Sequence, residues 1–407
     1  MTVIPREYSE VATSAEMVTD VLGRLTVTTQ QIHRAVANRA LGSVLPPPVR
    51  AVQDTVTTTV YGLVRAGIAI VGTAAVTALD SVERTRTARP WTSTPRGRRL
   101  AGMLNGAVGD HLHDRYRQLA SPMRIRVDGA DVEPVTAALY RHYPVAAPRM
   151  VVFVHGVIET EEWWSGPARA RAGDQTAICE DFGTRLTRDL GYSSVHVRYN
   201  SGRHISDNGA DLADLLDELI TAWPVPVREL ALVGHSMGGL VARSALHQAF
   251  AQDRAWSQRT RHLVCLGSPH TGAPLERAAN TLTALLRRFD ESAPLGALLA
   301  GRSAGIKDLR HGSLHRQDWH GSDPDAVHRA VPHPYRPPDG VEHCNLAGTV
   351  GRAAGPLGHW VGDLLVPTAS ALSPTPPAHT CVIPGLTHRG LLTHDAVYTQ
   401  LVSWLST

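Results

Sequence analysis

Lysine is almost absent: Lys307 stands alone among 40 basic residues, so arginine carries nearly all the positive charge. Set against 37 acidic residues this leaves a net charge of +3, and the basic residues are scattered. A charge that small gives no footprint for a nucleic-acid partner, and none is expected. Cysteine is scarce as well. Cys179, Cys265, Cys344 and Cys381 form no C-x-x-C pair and no Cys/His metal spacing, which excludes a disulfide scaffold and predicts no metal site. Cys265 and Cys381 fall in apolar runs, where a reduced thiol packs as a small hydrophobe. The first twenty residues include Arg6, Glu7, Glu10, Glu16 and Asp20 and lack an apolar h-region, so no signal peptide is expected and the location read is cytoplasmic, with membrane association as its alternative. Long charge-free runs are missing too. Ala66 to Leu79 covers fourteen residues, with ten uncharged residues before Arg65, and a membrane span needs about 18–20 apolar residues in a row.

What is present centres on Leu232-Val233-Gly234-His235-Ser236-Met237-Gly238-Gly239. An apolar run, Leu230 to Val233, leads into a serine flanked by glycines. A run with helical spacing leaves it: Leu240, Val241, Ala242, Ala245, Leu246, Ala249 and Phe250. Strand, tight turn and helix are the setting in which G-x-S-x-G forms a nucleophile elbow. The glycines are required because a Cβ at either place would strike the adjoining strand or helix.

Three regions follow along the chain. Residues 1 to about 120 read as helices over roughly 8–40, 49–84 and 98–119, with a break at Pro46-Pro47-Pro48. The second helix, rich in Thr, Gly and Ala, is expected to pack against the catalytic domain. Its alternatives are a helix docked on a membrane surface and, third, a full span. Arg84, Arg86, Arg89, Arg96, Arg98 and Arg99 surround Pro90 and Pro95 as a solvated linker, or one attracted to anionic lipid. From 121 to 407 the pattern is α/β. Ile125 and Val127, then Val135 to Tyr140, suggest an antiparallel pair. Runs at Met150–Val154, Val195–Tyr199, Leu230–Val233, His262–Leu266, Asn345–Gly348 and Thr380–Ile383 alternate with helical segments, which predicts a mostly parallel sheet with helices on both faces. Residues 272–340 interrupt the alternation, the size and place of a lid or cap over the active site. Leu282, Leu285, Leu286, Leu295, Leu298 and Leu299 are its candidates for an acyl pocket.

A serine hydroxyl needs a histidine base and a carboxylate to orient that base, in chain order Ser, acid, His for this architecture. Asp363, in Val361-Gly362-Asp363-Leu364-Leu365-Val366-Pro367 after a predicted strand, is the preferred acid over Glu342 and Asp339. His388, in the loop after the last predicted strand, is preferred as base over His394. His394 stands at the start of the final helix, with Thr393 or Asp395 as its expected cap. The oxyanion donors are expected to be the amides of Met237, next to the nucleophile, and Val157, in the loop Val154-His155-Gly156-Val157-Ile158. His155 is expected to brace that loop, and Glu159, Glu161, Trp163 and Trp164 are candidates for a pocket rim. No metal or organic cofactor is expected.

Phe153-Val154-His155-Gly156, Gly234-His235-Ser236-Met237-Gly238-Gly239 and Leu266-Gly267-Ser268-Pro269-His270-Thr271-Gly272 together resemble the α/β-hydrolase superfamily on its lipase side. Tyr199-Asn200-Ser201-Gly202-Arg203-His204-Ile205-Ser206, with Asn208-Gly209, makes 121–407 similar to bacterial relatives of the GPI inositol-deacylase group. His388-x-x-Leu391-Leu392 leading into Val397-Tyr398 resembles the family's catalytic histidine and last helix. The resemblance implies an α/β-hydrolase fold and hydrolysis of a carboxylic or lipid ester through an acyl-serine. One departure stands out: the family acid is usually followed by Gly or Asp, and here Leu364 follows Asp363. An acyltransferase with the same triad, and a non-enzymatic membrane-associated module, are the rival classes.

Overall fold

The computed structural model describes residues 9–41, 47–85, 90–165, 180–290, 292–321, 323, 333, 335, 338–351, 362–372 and 379–406. Cys179, Arg86, Arg89, Val361 and much of the segment 322–337 lie outside them. The chain divides into two compact units: one holds residues 1–97, 111–120 and 278–302, the other 98–110, 121–277 and 303–407.

In the first unit α1 (Glu10–Leu41) packs along α2 (Pro47–Thr85). Small residues permit the approach: a Cβ added at Gly72 would come within 2.8 Å of Thr19 Cβ. Arg65, the one charge between residues 55 and 79, donates to Gln30 Oε1 at 2.5 Å. Asp80 Oδ1 accepts the Ser9 amide at 3.0 Å. The opposite face of α2 is open, with Leu63, Ile70 and Val71 exposed to 69%, 70% and 70%. Asp54–Ser81 is long and apolar enough to cross a membrane, and 11% of its most apolar window is buried. From 278 to 302 the unit includes most of α8 (Pro274–Leu286) and α9 (Ala293–Ala300), where Leu282, Leu285, Leu295 and Leu299 are exposed.

The second unit is built on eight strands in the order β2-β1-β4-β3-β5-β6-β7-β8. They are β1 (Arg124–Val127), β2 (Ala130–Val132), β3 (Arg149–Val154), β4 (Ser193–Arg198), β5 (Glu229–His235), β6 (Thr260–Leu266), β7 (Glu342–Thr349) and β8 (His379–Pro384). β1 pairs antiparallel with β2 and β4; the other pairings are parallel. Alternation along β3 divides the core in two. Met150, Val152 and Val154 join α6 (Ile205–Ala222) and α7 (Met237–Ala251) on one face. Val151 and Phe153 join α5 (Phe182–Leu190) and α12 (Asp395–Leu405) on the other. The architecture is a mostly parallel α/β sheet with helices on both faces. The insertion between β6 and β7 carries α8, α9 and α10 (Ala304–Asp308), and α11 (Thr368–Leu372) precedes β8.

Two features correct the expected pattern. Val135 to Tyr140 is not a strand: Thr136–His142 forms α4, burying Ala138 and Leu139. A six-residue apolar run satisfies either period, and β1 already has its partner. Asp128-Gly129, both at positive φ, turns it directly into β2. The third N-terminal helix, α3 (Pro95–Arg115), capped by the Thr94 side chain, also does not stay with its helical neighbours. Its middle, residues 98–110, belongs to the second unit. There Gly102, Gly106 and Gly109 lie against Thr160, Ile158 and Asn200, each too close to admit a side chain.

Candidate active site

Ser236 ends β5 and starts α7 with φ 54° and ψ −123°. L-residues other than glycine rarely adopt that conformation. The turn survives because the surroundings leave no alternative. A Cβ on Gly234 would lie 2.5 Å from the Gly238 carbonyl carbon, one on Gly238 would lie 2.7 Å from the Val154 carbonyl carbon, and the Ser236 amide donates to Leu266 O at 2.8 Å.

Asp363 and His388 meet in the loops after β7 and β8. His388 Nδ1 lies 2.6 Å from Asp363 Oδ2, and Asp363 Oδ1 accepts the amides of Leu365 and Val366 at 3.1 and 2.9 Å. The loop passes through Leu364 at φ 85°. This is the position where the sequence departs from the pattern it otherwise resembles, and the left-handed backbone is one that glycine adopts most readily. The His388 ring lies 4.6 Å from that of His235, the residue before Ser236. Gly267 underlies the group: a Cβ there would sit 3.1 Å from Asp363 Oδ2 and 3.2 Å from His388 Cε1. Among the described residues no hydrogen bond joins Ser236 Oγ to His388. Such contacts are often long without substrate.

The loop after β3 faces the serine, and a Cβ on Gly156 would lie 3.0 Å from Ser236 Cβ. Val157 follows Gly156 and Met237 follows Ser236, and among the described residues neither amide donates to another group of the chain. Ile158 holds φ 58° and donates its amide to Ser201 Oγ at 3.2 Å. Five non-glycine residues have positive φ among the described residues. Ser236, Ile158 and Leu364 are three of them, so backbone strain gathers at the expected nucleophile and beside the expected oxyanion donor and acid, as it does at functional sites.

His155 braces its loop, accepting the Tyr199 amide at Nε2 (3.3 Å) and contacting Gly156 O through Nδ1 (2.8 Å). Burial holds its pKa below the ordinary imidazole value, so the neutral ring donates from Nδ1. Behind it Asn200 donates to Gly109 O at 2.7 Å and accepts the Gly202 amide at 3.1 Å. The Tyr199–Ser206 block is thus scaffold for the loop. His270 contacts Asn345 Oδ1 at 3.2 Å and the buried Arg243, and burial together with Arg243 pushes its pKa far down.

Other expectations separate. His394 is exposed and itself caps α12, accepting the Ala396 amide at 3.1 Å, in place of Thr393 or Asp395. Glu342 starts β7 beside His262 and His379. The residues expected at a pocket rim are largely internal. Glu161 is buried between Arg126 and Arg198, Trp164 packs on Phe153, and Trp163 is half-buried beneath Arg389. Glu159 is buried and paired with His235 at 3.0 Å, a partnership between residues 76 positions apart that no local pattern announces.

Residues 183–322 match the family described as a PGAP1-like alpha/beta domain. That stretch includes Ser236 and stops before Asp363 and His388. Among solved structures the chain is similar to the Bacillus licheniformis lipase BlEst2 in mature form, at 19% identity over 63% of this chain and 91% of that one, with a TM-score of 0.39. It is also similar to the RedJ thioesterase of the Streptomyces coelicolor prodiginine pathway (22% identity, 64% and 91% covered, TM-score 0.34). Clostridium botulinum EstA is a third (12%, 64% and 88%, TM-score 0.39). No curated protein matches the chain in sequence.

Proposed function

We propose that the chain is a serine ester hydrolase that transfers an acyl group to water. The observation that carries this reading is the Asp363–His388 hydrogen bond of 2.6 Å, formed beside an elbow whose serine sits at φ 54°. In the proposed reaction His388 Nε2 takes the Ser236 proton as Oγ attacks an ester carbonyl. Asp363 holds Nδ1 protonated, which leaves the Nε2 lone pair free to take the serine proton. The Val157 and Met237 amides receive the oxyanion; one such donor is worth about 10²–10³ in kcat. His388 then protonates the leaving alcohol and activates water to release the acid. Labelling by a fluorophosphonate tests the reading: adduct at Ser236, lost in Ser236→Ala and slowed in His388→Ala, is the expected result. Failure of the folded wild-type protein to label or to cleave any ester from acetyl to palmitoyl overturns it.

The substrate class we infer is a carboxylic or lipid ester met at a lipid surface. What supports the surface is α2: its outer face is uncharged from residue 55 to 79 and open along Leu63, Ile70 and Val71. Running the same ester panel with and without liposomes tests it, with long-chain esters expected to gain most from the lipid interface.

A further inference from the structure

We propose that Glu159 and His235 form a buried carboxylate–imidazolium pair that positions this machinery, with His235 protonated on both ring nitrogens at rest. The proposal builds on the hydrolase reading above. His235 Nδ1 lies 3.0 Å from Glu159 Oε2, and Nε2 lies 3.1 Å from the His388 carbonyl oxygen. The His388 carbonyl can only accept, and Glu159, whose Oε2 already accepts the Gly156 amide, is an acceptor in its ionised form. A neutral imidazole has one N–H and one lone pair, so it would set its lone pair against one of these two oxygens; the imidazolium donates to both.

The same Glu159 oxygen accepts the Gly156 amide at 2.7 Å. One carboxylate therefore ties down the residue before the proposed donor Val157. Through His235 it also holds the backbone of His388, whose ring Asp363 grips from the other side. The pair links three loops that are separate in sequence and must agree in position for the reaction. Glu159 and His235 are positioning residues here, since neither lies where substrate would react.

Other titratable groups face the pair from each packed element. His155 comes from the loop after β3, Asp363 from the loop after β7 and His388 from the loop after β8. Burial alone would lower the His235 pKa, but the Glu159 charge and the two hydrogen bonds override it and the shift is upward. Burial alone would raise Glu159, and His235 with the Gly156 amide reverses that, holding the carboxyl below its ordinary value. Both directions favour the charged pair. As pH rises through the elevated His235 value the ring must give up one of its two bonds, so kcat is expected to decline on the alkaline side.

Nitrogen NMR of the full chain labelled at histidine, with His235→Asn to assign the signal, reads the protonation directly. Two protonated ring nitrogens on His235 at neutral pH are expected, and a single-proton tautomer overturns the proposal whatever the activity. Glu159→Gln keeps an acceptor for the Gly156 amide and removes the charge. It should lower kcat on the order of 10²-fold, leave KM within about two-fold, and move the alkaline decline to lower pH. Glu159→Asp, which keeps the charge, should retain the doubly protonated His235 and lie between. An unchanged kcat and pH profile in Glu159→Gln overturns positioning. A wild-type protein that fails to label at Ser236 overturns the hydrolase reading instead, so the two failures are distinguishable.

Discussion

Asp363 holds His388 twice: its carboxylate meets Nδ1 at 2.6 Å, and its backbone carbonyl accepts the His388 amide at 3.0 Å. The second bond fixes where the loop after β8 begins, and the first fixes the ring. Replacing His388 by Ala should therefore lower kcat on the order of 10⁴-fold or more, with the circular dichroism spectrum retained. His394→Ala should change kcat little and weaken a helix cap, worth about 1 kcal/mol. Steady-state kinetics on a short ester checks both, and the reverse pattern would move the base to His394.

Ser236→Ala should abolish ester cleavage and fluorophosphonate labelling while the melting temperature is preserved. The turn depends on Gly234, Gly238 and the Ser236 amide, none of which the substitution touches. Retention of more than a few per cent of wild-type activity would remove Ser236 as nucleophile.

Leu364 is exposed to 63% and held at φ 85°, so its side chain contributes little packing and its backbone is strained. Leu364→Gly should relieve a left-handed conformation costing roughly 1–2 kcal/mol, offset by roughly 0.5–1 kcal/mol of added unfolded-chain entropy. A net gain of at most roughly 1.5 kcal/mol in chemical denaturation, with kcat unchanged, is expected. A loss of stability would show that Leu364 makes contacts its exposure does not suggest.

The parts of the site legible in the sequence are those encoded locally. Ser236 has its glycines within two residues, and His388 and Asp363 each follow a short run read as a strand. Val135–Tyr140 misreads as a strand because six residues are too few to separate a period of 2 from one of 3.6. The Glu159–His235 pair and the seat of α3 on Ile158 and Asn200 are contacts between residues tens of positions apart. Neither partner carries a mark of the other: Glu159 reads as a candidate for a pocket rim, and Gly102, Gly106 and Gly109 fall inside a stretch read only as helix.

Gly106 offers a test of that seat. A Cβ there would lie 2.6 Å from the Ile158 amide nitrogen and 2.7 Å from Ile158 Cα, backbone atoms that yield only if the loop moves. Ile158 follows Val157, so Gly106→Ala should displace the proposed oxyanion donor and lower kcat on the order of 10²-fold. Single-turnover labelling should slow in parallel, since acyl transfer itself is affected. Wild-type rates in this variant would mean that α3 yields in place of the loop.

Removing residues 1–120 cuts through the second unit, because residues 98–110 belong to it. Several bonds cross the cut. Ser121 N donates to Asn105 Oδ1 at 2.8 Å, Asn200 Nδ2 to Gly109 O at 2.7 Å, Ser303 Oγ to Gly106 O at 2.6 Å, and Ala304 N to Asp110 Oδ2 at 2.9 Å. Losing the partner of a buried polar group costs about 1–3 kcal/mol each, and whole domains are stable by only about 5–15 kcal/mol. The 121–407 fragment should therefore be insoluble or unfold well below the full chain. A 98–407 fragment restores these partners and should be more stable than 121–407, while lacking α2 and, with it, the proposed lipid contact. Comparing the two by thermal denaturation and liposome flotation separates structural need from membrane docking. A 121–407 fragment as stable and active as 98–407 would show that α3 contributes nothing to the second unit.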